Sequence, residues 1–462
     1  MTEDKEVKAL KSITLIVALV TSFTSAYILS AVNVALPVIG DHFAMTAVMQ
    51  GWVTTSVLLM TATMMVPIGR LTDIYGRKRF FIYGLILQLT GTLFCGLANS
   101  GWVIIITRVI QGIGSSMIIG PMMAIITSVF PGEERGKALG TYVAATYAGL
   151  TVGPFMGGVL TQHLGWRSIF FFGTLMTAIT ITLALTKLKG EWREAAGEKF
   201  DIAGSLIFGV SLMVLIYGFT TLPRSSGFVL LVIGLFGLSM FIRFEGRIES
   251  PILNVGILGR NKVFIFSNVA TMINYSATFA LSFLLSLYLQ YILGYSPQEA
   301  GFILLVNPAT MAVFAPIAGR LSDRFQPQII AAIGLGLSCM SLSLLSLLDQ
   351  SSGLVFISPL LVFSGLATAF LSSPNSNAVM SSVEKRFLGV AAGTQGTTRT
   401  VGMVFSMGIV MILFTLFMGE VQITPEYYIP FMSSLKRGFT VFAILNFFGI
   451  FCQLAGRKQH KV

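Results

Sequence analysis

Charged residues are scarce in this sequence. Only 11% of the 462 residues are Asp, Glu, Lys or Arg, whereas 54% are hydrophobic and the mean hydropathy is +0.83. A water-soluble chain of this length needs much more polar surface, so the composition excludes an ordinary soluble domain and indicates a membrane protein. The net charge of +11 comes from short basic clusters between apolar runs. Because no basic stripe with interleaved aromatic residues is present, we expect no nucleic-acid partner.

Cysteine and histidine are also rare, with three of each. Cys95, Cys339 and Cys452 are scattered through apolar runs, which predicts small buried side chains and excludes a disulfide framework. The three histidines have no ligand spacing with one another or with cysteine. We therefore expect neither a metal site nor a cofactor.

Long apolar runs dominate the chain. A bilayer takes roughly 20 residues of helix to cross, and fourteen runs reach that length. They lie near residues 13–37, 47–68, 80–98, 102–129, 138–162, 166–187, 202–222, 227–242, 263–290, 298–319, 328–348, 353–378, 388–417 and 435–456. The prediction is an all-α polytopic membrane protein in three parts: six spans in residues 1–187, linkers and two spans in residues 188–262, and six spans in residues 263–462.

The distribution of basic residues predicts the orientation of these spans. With fourteen crossings, most of the lysines and arginines fall on the side that carries both chain ends, which is the positive-inside pattern. Trp52, Trp102 and Trp166 fall at the opposite interface, where indole rings prefer to lie. We expect both termini to be cytoplasmic, in the plasma membrane of a prokaryotic cell.

Two short segments recur in the second half of the chain. PIGRLTD at residues 67–73 returns as PIAGRLSD at residues 316–323, and the glycine-to-glycine offset is 319 − 69 = 250. GKALGT at residues 136–141 returns as GVAAGT at residues 389–394, at an offset of 253. Two echoes at nearly one offset predict that the first and last six spans are parallel copies, with the middle pair inserted. Parallel halves with a substrate site between them are typical of one class of secondary transporter.

Several motifs carry a resemblance to a known family. GRLTDIYGRKR at residues 69–79 resembles the loop signature of the major facilitator superfamily, RVIQGIG at residues 108–114 its fourth-helix motif, and GLTVGPFMGG at residues 149–158 the fifth-helix motif associated with antiporters. NVALP at residues 33–37 and GWR at residues 165–167 match further pieces. The resemblance, closest to the fourteen-helix drug:proton antiporter branch, implies two pseudo-symmetric six-helix bundles plus two extra central helices.

The resemblance also implies that the signature loop latches the two halves together in the outward-facing state. The matching residues are Gly69, Asp73, Gly76 and Arg77 in the first half and Gly319 and Asp323 in the second. A solvated anchor that only fixes topology is the alternative. The matched acids favour the latch, because anchoring needs only basic residues. We also expect Gly69 and Gly76 to shape a tight turn.

The fifth span is rich in small residues. They are Gly149, Gly153, Pro154, Gly157 and Gly158, and glycines at i, i+4 and i+8 share one helix face. Such a face allows close helix packing, and the proline removes a backbone hydrogen bond and permits a bend. We favour a seam that flexes during alternating access over a plain packing seam.

Two arginines lie at depth inside spans. By the helical rise, Arg108 is roughly 10 Å and Arg399 roughly 16 Å from the nearer interface. A charge at such depth is costly, so each is expected to face a wet cavity or a polar partner. A permanent interhelical hydrogen bond is the alternative for both. Candidate cavity residues of the polar, uncharged type are Asn33, Gln111, Asn274, Asn307 and Asn375.

One position departs from the drug:proton branch. An acid usually stands nine residues before the proline of the first-span motif, and Ile28 stands there in this chain. Because no Asp or Glu lies in the body of any predicted span, two interpretations remain. One is multidrug-type efflux by proton antiport with altered coupling; the other is transport of anionic or neutral metabolites with Arg108 and Arg399 at the site.

The expected partners follow from these interpretations. They are a small-molecule substrate, a coupling proton and the lipid bilayer, and the chain is expected to be a monomer. An enzyme is not expected, because no nucleophile, carboxylate pair or metal cluster lies at depth.

Overall fold

The computed structural model describes residues 2–130, 132–246, 248, 261–383 and 388–456, in which the regular structure is helical. The α-helices are α1 (Thr2–His42), α2 (Ala47–Tyr75), α3 (Arg77–Gly96), α4 (Gly101–Val129), α5 (Gly132–Leu164), α6 (Arg167–Thr186), α7 (Ile202–Thr220), α8 (Ser225–Glu245), α9 (Lys262–Thr278), α10 (Ala280–Leu287), α11 (Pro297–Arg324), α12 (Pro327–Leu345), α13 (Leu354–Ser381), α14 (Leu388–Phe417) and α15 (Tyr428–Ala455). A π-helical turn, Tyr288–Ile292, follows α10.

Fourteen segments of the described chain are long and apolar enough to cross a membrane, which confirms the predicted number. Helices α9 and α10 and the π-helical turn form one of them, Lys262–Ile292. An even number of crossings puts both chain ends on one side. We call this the inner side, because the basic residues predict it to be cytoplasmic, and the opposite side the outer side.

Short polar caps start several helices. The side-chain oxygens of Thr46 and Ser100 accept hydrogen bonds from the backbone N–H groups of the third residues of α2 and α4. Ser296 and Glu299 form a reciprocal capping box at the start of α11. These caps satisfy N–H groups that have no partner within the helix, so the chain reverses on the outer side within a few residues.

The predicted turn around Gly69 and Gly76 is wrong in one respect. Residues 69–75 continue α2, and only Gly76 leaves helical geometry, with φ of +124°. A Cβ atom on Gly69 would have no described neighbour within 4 Å, so nothing there requires glycine. The second span therefore extends beyond the predicted residue 68, because a helix satisfies its own backbone as it leaves the apolar layer.

The helix packing repeats between the two halves. In the first half α5 and α6 pack against α1, α4 packs against α2 and α3, and α6 packs against α3. In the second half the corresponding pairs are α9 with α14 and α15, α13 with α11 and α12, and α12 with α15. This correspondence agrees with the parallel repeat in the sequence. The domain boundaries at residues 187/188 and 262/263 stay a prediction.

The two bundles meet along two seams, α5 against α11 and α2 against α14. The inserted pair lies at the second seam: α7 packs against both α2 and α14, and α8 packs against α7. Contacts between aromatic rings support this position. The ring centres of Trp52 on α2 and Tyr217 on α7 are 5.9 Å apart, and those of Phe405 on α14 and Phe219 on α7 are 5.1 Å apart.

Both seams are packed towards the outer side and open towards the inner side. On α5, a Cβ atom on Gly158 would lie 2.4 Å from the carbonyl oxygen of Pro297, at the start of α11. Gly140 lies 158 − 140 = 18 residues earlier, on the same face at 3.6 residues per turn, and a Cβ atom there would have no described neighbour within 4 Å. The bundles therefore diverge along α5 towards the inner side.

The α2–α14 seam repeats this geometry. Met411 of α14 is 3.1 Å from the Cβ position of Gly51. Thr397 still contacts α2, through a 3.1 Å contact to the sulfur of Met65. Gly393 lies 411 − 393 = 18 residues before Met411 on the same face, and its Cβ position has no described neighbour within 4 Å. Together the seams describe an inner-open, outer-closed arrangement.

Hydrogen bonds between the bundles close the outer side. Gln290, within the π-helical turn, donates to the carbonyl oxygen of Val34 at 2.8 Å. The Tyr291 hydroxyl lies 3.1 Å from the carbonyl oxygen of Pro37 and 3.0 Å from Asp41 Oδ1. The acceptors belong to α1, within and just after its NVALP segment. This motif therefore supplies acceptors for the outer seal.

Candidate functional site

Arg399 lies where the two bundles begin to separate. It is on α14, is partly exposed, and its Cζ atom is 5.9 Å from the centre of the Tyr275 ring on α9. The guanidinium also interacts electrostatically with Tyr275 and with Tyr147 of α5. Tyr275 in turn interacts electrostatically with Tyr147 of α5, across the gap from the second bundle to the first. The predicted deep cation is therefore the centre of a polar and aromatic group that involves both bundles.

Tyr142 extends this group along α5. It interacts electrostatically with Arg399, and its carbonyl oxygen accepts a hydrogen bond from Ser22 of α1 at 3.2 Å. Tyr142, Tyr147 and Tyr275 were not among the predicted site residues. Their signal is weak, because a tyrosine at helical spacing in a span also fits plain packing or an interfacial position.

Glycines allow the helices that carry these side chains to approach closely. A Cβ atom on Gly402 would lie 2.6 Å from the carbonyl oxygen of Met272 and 3.0 Å from Tyr275 Cβ. Gly149, at the offset of the second sequence echo (402 − 149 = 253), has the same role in the first bundle, where its Cβ position is 2.4 Å from the Phe23 carbonyl oxygen. The echoed pair thus fixes equivalent contacts, α9–α14 and α1–α5.

Arg108 occupies a different environment. It is 1% exposed, and its Nε and Nη1 atoms donate to the carbonyl oxygen of Val53 at 3.0 Å and to Gln111 Oε1 at 2.8 Å. Gln111 donates onward to Thr92 at 2.7 Å. The structure brings the two predicted residues together on α4, and hydrogen bonds to α2 and α3 hold them within the first bundle. The Nη2 atom of Arg108 has no hydrogen-bond partner among the described residues.

The asparagines are distributed through both bundles. Asn33 accepts from Thr54 at 3.1 Å, and Asn375 donates to Thr271 at 2.6 Å and to the Ser267 carbonyl at 3.1 Å. These contacts join α1 to α2 and α13 to α9. Asn274 is buried beside Tyr275 on α9, and Asn307 lies half-buried on α11. A direct role of these residues with cargo stays a prediction.

The small residues of α5 face two neighbours. Gly149, Gly153 and Gly157 face α1, where the Cβ position of Gly157 is 2.9 Å from Ala31 Cβ. Pro154 and Gly158 face α11, where a Cβ atom on Gly301 would lie 2.3 Å from the Pro154 carbonyl oxygen. One helix therefore combines a packing face within its bundle with a contact to the other bundle. Flexing at this seam stays a prediction.

In the signature loop, Asp73 at the end of α2 pairs with Arg77, the first residue of α3. Arg77 Nε and Nη2 lie 2.8 and 2.7 Å from Asp73 Oδ1. A second carboxylate, Glu194 of the linker before α7, accepts from Arg77 Nη1 at 2.7 Å. This bond lowers the pKa of Glu194, so the pair is ionised at neutral pH. Glu194 was not predicted from the sequence.

The second half repeats part of this loop. Ser322 donates to the carbonyl oxygen of Gly319 at 2.7 Å, and Thr72 donates to that of Gly69 at the same distance. The predicted latch residue Asp323 has a side chain outside the described part of the structure. The latch role of this loop stays a prediction.

Ile28, at the position where an acid was expected, packs in the first bundle. It is 6% exposed, and its Cγ1 atom lies 2.8 Å from the Cβ position of Gly173 on α6. An apolar contact with another helix thus replaces the acid.

Comparison with known proteins decides the family. The profile described as Major Facilitator Superfamily matches residues 18–407, which is most of the chain. The chain belongs to the major facilitator superfamily. It is a multi-pass membrane transporter rather than an enzyme.

Curated relatives differ in their named cargo. The chain is 28% identical to the riboflavin transporter RibZ of Clostridioides difficile over 401 residues, which is 86% of each chain. It is 29% identical to the multidrug transporter protein MdtP of Bacillus subtilis over 455 residues, 96% of this chain and 82% of the relative. A solved structure of a POT family transporter superposes with a TM-score of 0.72 at 14% identity, covering 97% of this chain and 96% of that one, which supports the fold.

Proposed function

We propose that this transporter carries small organic molecules that are anionic or polar and contain an aromatic ring, and that the cargo binds between the bundles at Arg399. The observation that carries the proposal is the position of Arg399 at the opening between the bundles, surrounded by tyrosines. No Asp or Glu lies in the body of the predicted spans to neutralise it. An anionic cargo would supply the missing partner, and the phenol rings would stack on its aromatic part.

Alternating access is the mechanism that fits this site. In the inner-open arrangement, cargo would reach Arg399 from the predicted cytoplasmic side and leave after the outer seal opens. This direction corresponds to efflux across the plasma membrane of a bacterium by a monomeric chain with cytoplasmic termini. We propose that export of the cargo is driven by exchange for a proton.

Multidrug-type efflux by proton antiport is the second candidate. The names of several curated relatives, MdtP among them, favour it. In that case the tyrosine faces would hold flat drug molecules, and Arg399 would orient polar groups rather than neutralise a charge. The missing acid at Ile28 disfavours cationic drugs, because a cation would face Arg399 without a carboxylate.

Counter-transport in proteoliposomes separates these candidates. The purified chain is reconstituted with a pH gradient, and flux of an aromatic organic acid is compared with flux of a lipophilic cation. We expect Arg399→Ala to lower organic-acid flux by about 10- to 100-fold, since a hydrogen bond to a charged group is worth about 1.5–3 kcal/mol, and Arg399→Lys to retain part of the flux.

Arg437→Ala is the matched control, because this arginine also stacks on an aromatic ring, Phe417 at 4.4 Å, but lies on α15 near the outer side. It should leave organic-acid flux unchanged. Cation flux that exceeds acid flux, with both unaffected by Arg399→Ala, would overturn the anionic candidate and favour the second one.

A further inference from the structure

The linker between α6 and α7 is fastened to the signature loop. We call residues 188–201 the strap. Leu188 and Ala195 are 1% and 7% exposed, and Trp192 packs on the apolar cluster at the inner end of the first bundle. The strap contains several lysines and glutamates, so its composition predicts a solvated segment. Three of its apolar side chains are nevertheless packed against the protein.

Backbone hydrogen bonds hold the strap on both sides of Gly76. The Arg77 N–H donates to the carbonyl oxygen of Trp192 at 3.0 Å, and the Ala195 N–H donates to that of Asp73 at 3.0 Å. The side chain of Glu191 accepts from the Lys78 N–H at 2.9 Å. Backbone bonds of this kind are independent of side-chain identity, which is why the sequence did not reveal them.

Ion pairs add to this attachment. Arg77, whose side chain is 5% exposed, bonds Glu194 as well as Asp73, and it donates to Ser128 of α4 at 2.8 Å. Glu198 of the strap pairs with Arg70. A guanidinium held by several acceptors in a nearly buried position is a firm attachment point, because removing one partner leaves a poorly solvated charge.

The strap leads directly into α7. Asp201 is the N-cap of α7 and accepts from the Gly204 N–H at 2.9 Å. Midway along the helix, the Cβ position of Gly209 lies 3.6 Å from Thr63 of α2. The inner end and the middle of α7 are therefore joined to the first bundle.

The outer end of α7 contacts the second bundle as well. The Cβ position of Gly408 on α14 is 3.4 Å from Thr220 Cγ2 and 2.7 Å from the Phe219 ring. When the outer side opens, α2 and α14 must separate, and α7 can then keep only one of these neighbours.

We infer that the strap makes the inserted helices α7 and α8 move as one body with the first bundle, so that α14 slides away from α7 at each outward opening. The inference rests on alternating access, as proposed above. Its physical basis is the unequal attachment: the strap, its ion pairs and the α2 contact all join α7 to the first bundle, whereas apolar contacts at one end join it to α14.

Two matched disulfides test this assignment. Each disulfide replaces one threonine and one glycine by cysteine. Thr63→Cys with Gly209→Cys joins α2 to α7. Thr220→Cys with Gly408→Cys joins α7 to α14. The glycine Cβ positions lie close enough to the threonine side chains, 3.6 and 3.4 Å from Cγ2, for a disulfide to be within reach. The natural cysteines, Cys95, Cys339 and Cys452, are first replaced by alanine.

We expect the oxidised α2–α7 pair to transport at the rate of its reduced form, and the oxidised α7–α14 pair to lose at least nine-tenths of its flux and regain it on reduction. The reverse pattern, or equal effects of the two bonds, overturns the inference. Absence of flux in the cysteine-free parent, by contrast, would contradict the proposed transport itself.

Distances between spin labels provide a second test that does not depend on the Gly408 substitution. Labels are placed at Ile86 on α3, Ile233 on α8 and Ile333 on α12, which are all exposed. Between conditions that populate the inner-open and outer-open states, the 86–233 distance should stay constant and the 233–333 distance should change. A constant 233–333 distance, or a change in the 86–233 distance, overturns the inference.

Discussion

Replacing Gly402 by alanine should separate α14 from α9 and weaken the site at Arg399. The added Cβ atom would lie 2.6 Å from the Met272 carbonyl oxygen, whereas ordinary contact begins at 3.4 Å, so the two helices must move apart by about 3.4 − 2.6 = 0.8 Å. Inserting one carbon into a well-packed interface costs about 1–3 kcal/mol. We therefore expect a lower melting temperature for Gly402→Ala in detergent.

The same displacement should affect binding. Arg399 precedes Gly402 by three residues, so it lies on the same stretch of α14 that is pushed away from Tyr275, and its guanidinium is 5.9 Å from that ring at present. We expect KM for an aromatic organic acid to rise several-fold while the amount of inserted protein stays unchanged, because misplacing a binding group by about 1 Å is costly.

Gly396→Ala is the control for both measurements. It lies on the same helix, and a Cβ atom there would have no described neighbour within 4 Å. In a helix interior alanine is more favourable than glycine by up to about 1 kcal/mol, so this variant should be as stable as the parent or more so, with unchanged KM. Equal melting temperatures and equal KM values for the two variants would refute the packing argument.

Two further predictions concern the inner loop and the outer seal. Gly76→Ala should destabilise the chain by about 1–3 kcal/mol in thermal unfolding, because φ of +124° is unfavourable for alanine and the Cβ atom would meet the Glu191 carboxylate. Gly69→Ala is the control and should be neutral or stabilising. Equal effects of the two substitutions on stability would contradict this prediction. Tyr291→Phe removes a hydroxyl that bonds α1 across the outer seal, at about 1 kcal/mol per hydrogen bond, and should raise cysteine labelling from the outer side about 5-fold. Tyr288→Phe, whose hydroxyl bonds the Asp349 carbonyl at 2.6 Å within its own bundle, should leave the labelling unchanged, and a similar rise in both variants would exclude a specific role of Tyr291.

The sequence was sufficient for the fold because the signals there are local. The lengths of the apolar runs predicted the number of spans. The repeated segments predicted that α5 and α14 occupy equivalent positions, and Gly149 and Gly402 make equivalent contacts with α1 and α9. The prediction of a turn at Gly69 was wrong, because glycine in a family motif suggests a turn whereas the backbone there is helical.

The site was only partly predictable, because it depends on contacts between distant segments. Arg399 was selected as a candidate by the cost of a charge at depth, and the same criterion selected Arg108, which lies in a closed network with Gln111. Hydropathy cannot distinguish these two environments. The partners of Arg399 come from α5 and α9, and no spacing rule links Tyr147 to Tyr275 before the bundles are assembled.

Because of the position of α7, the two seams between the bundles differ in the helices that surround them. Helix α7 covers the α2–α14 seam from Trp52 and Tyr217 to the level of Gly209 and Thr63. Among the described helices, neither α7 nor α8 packs against α5 or α11 in this way. In the outer half of the membrane, lipid at the α2–α14 flank therefore meets α7, whereas lipid at the opposite flank meets the bundle helices themselves, and the perimeter of the protein is asymmetric.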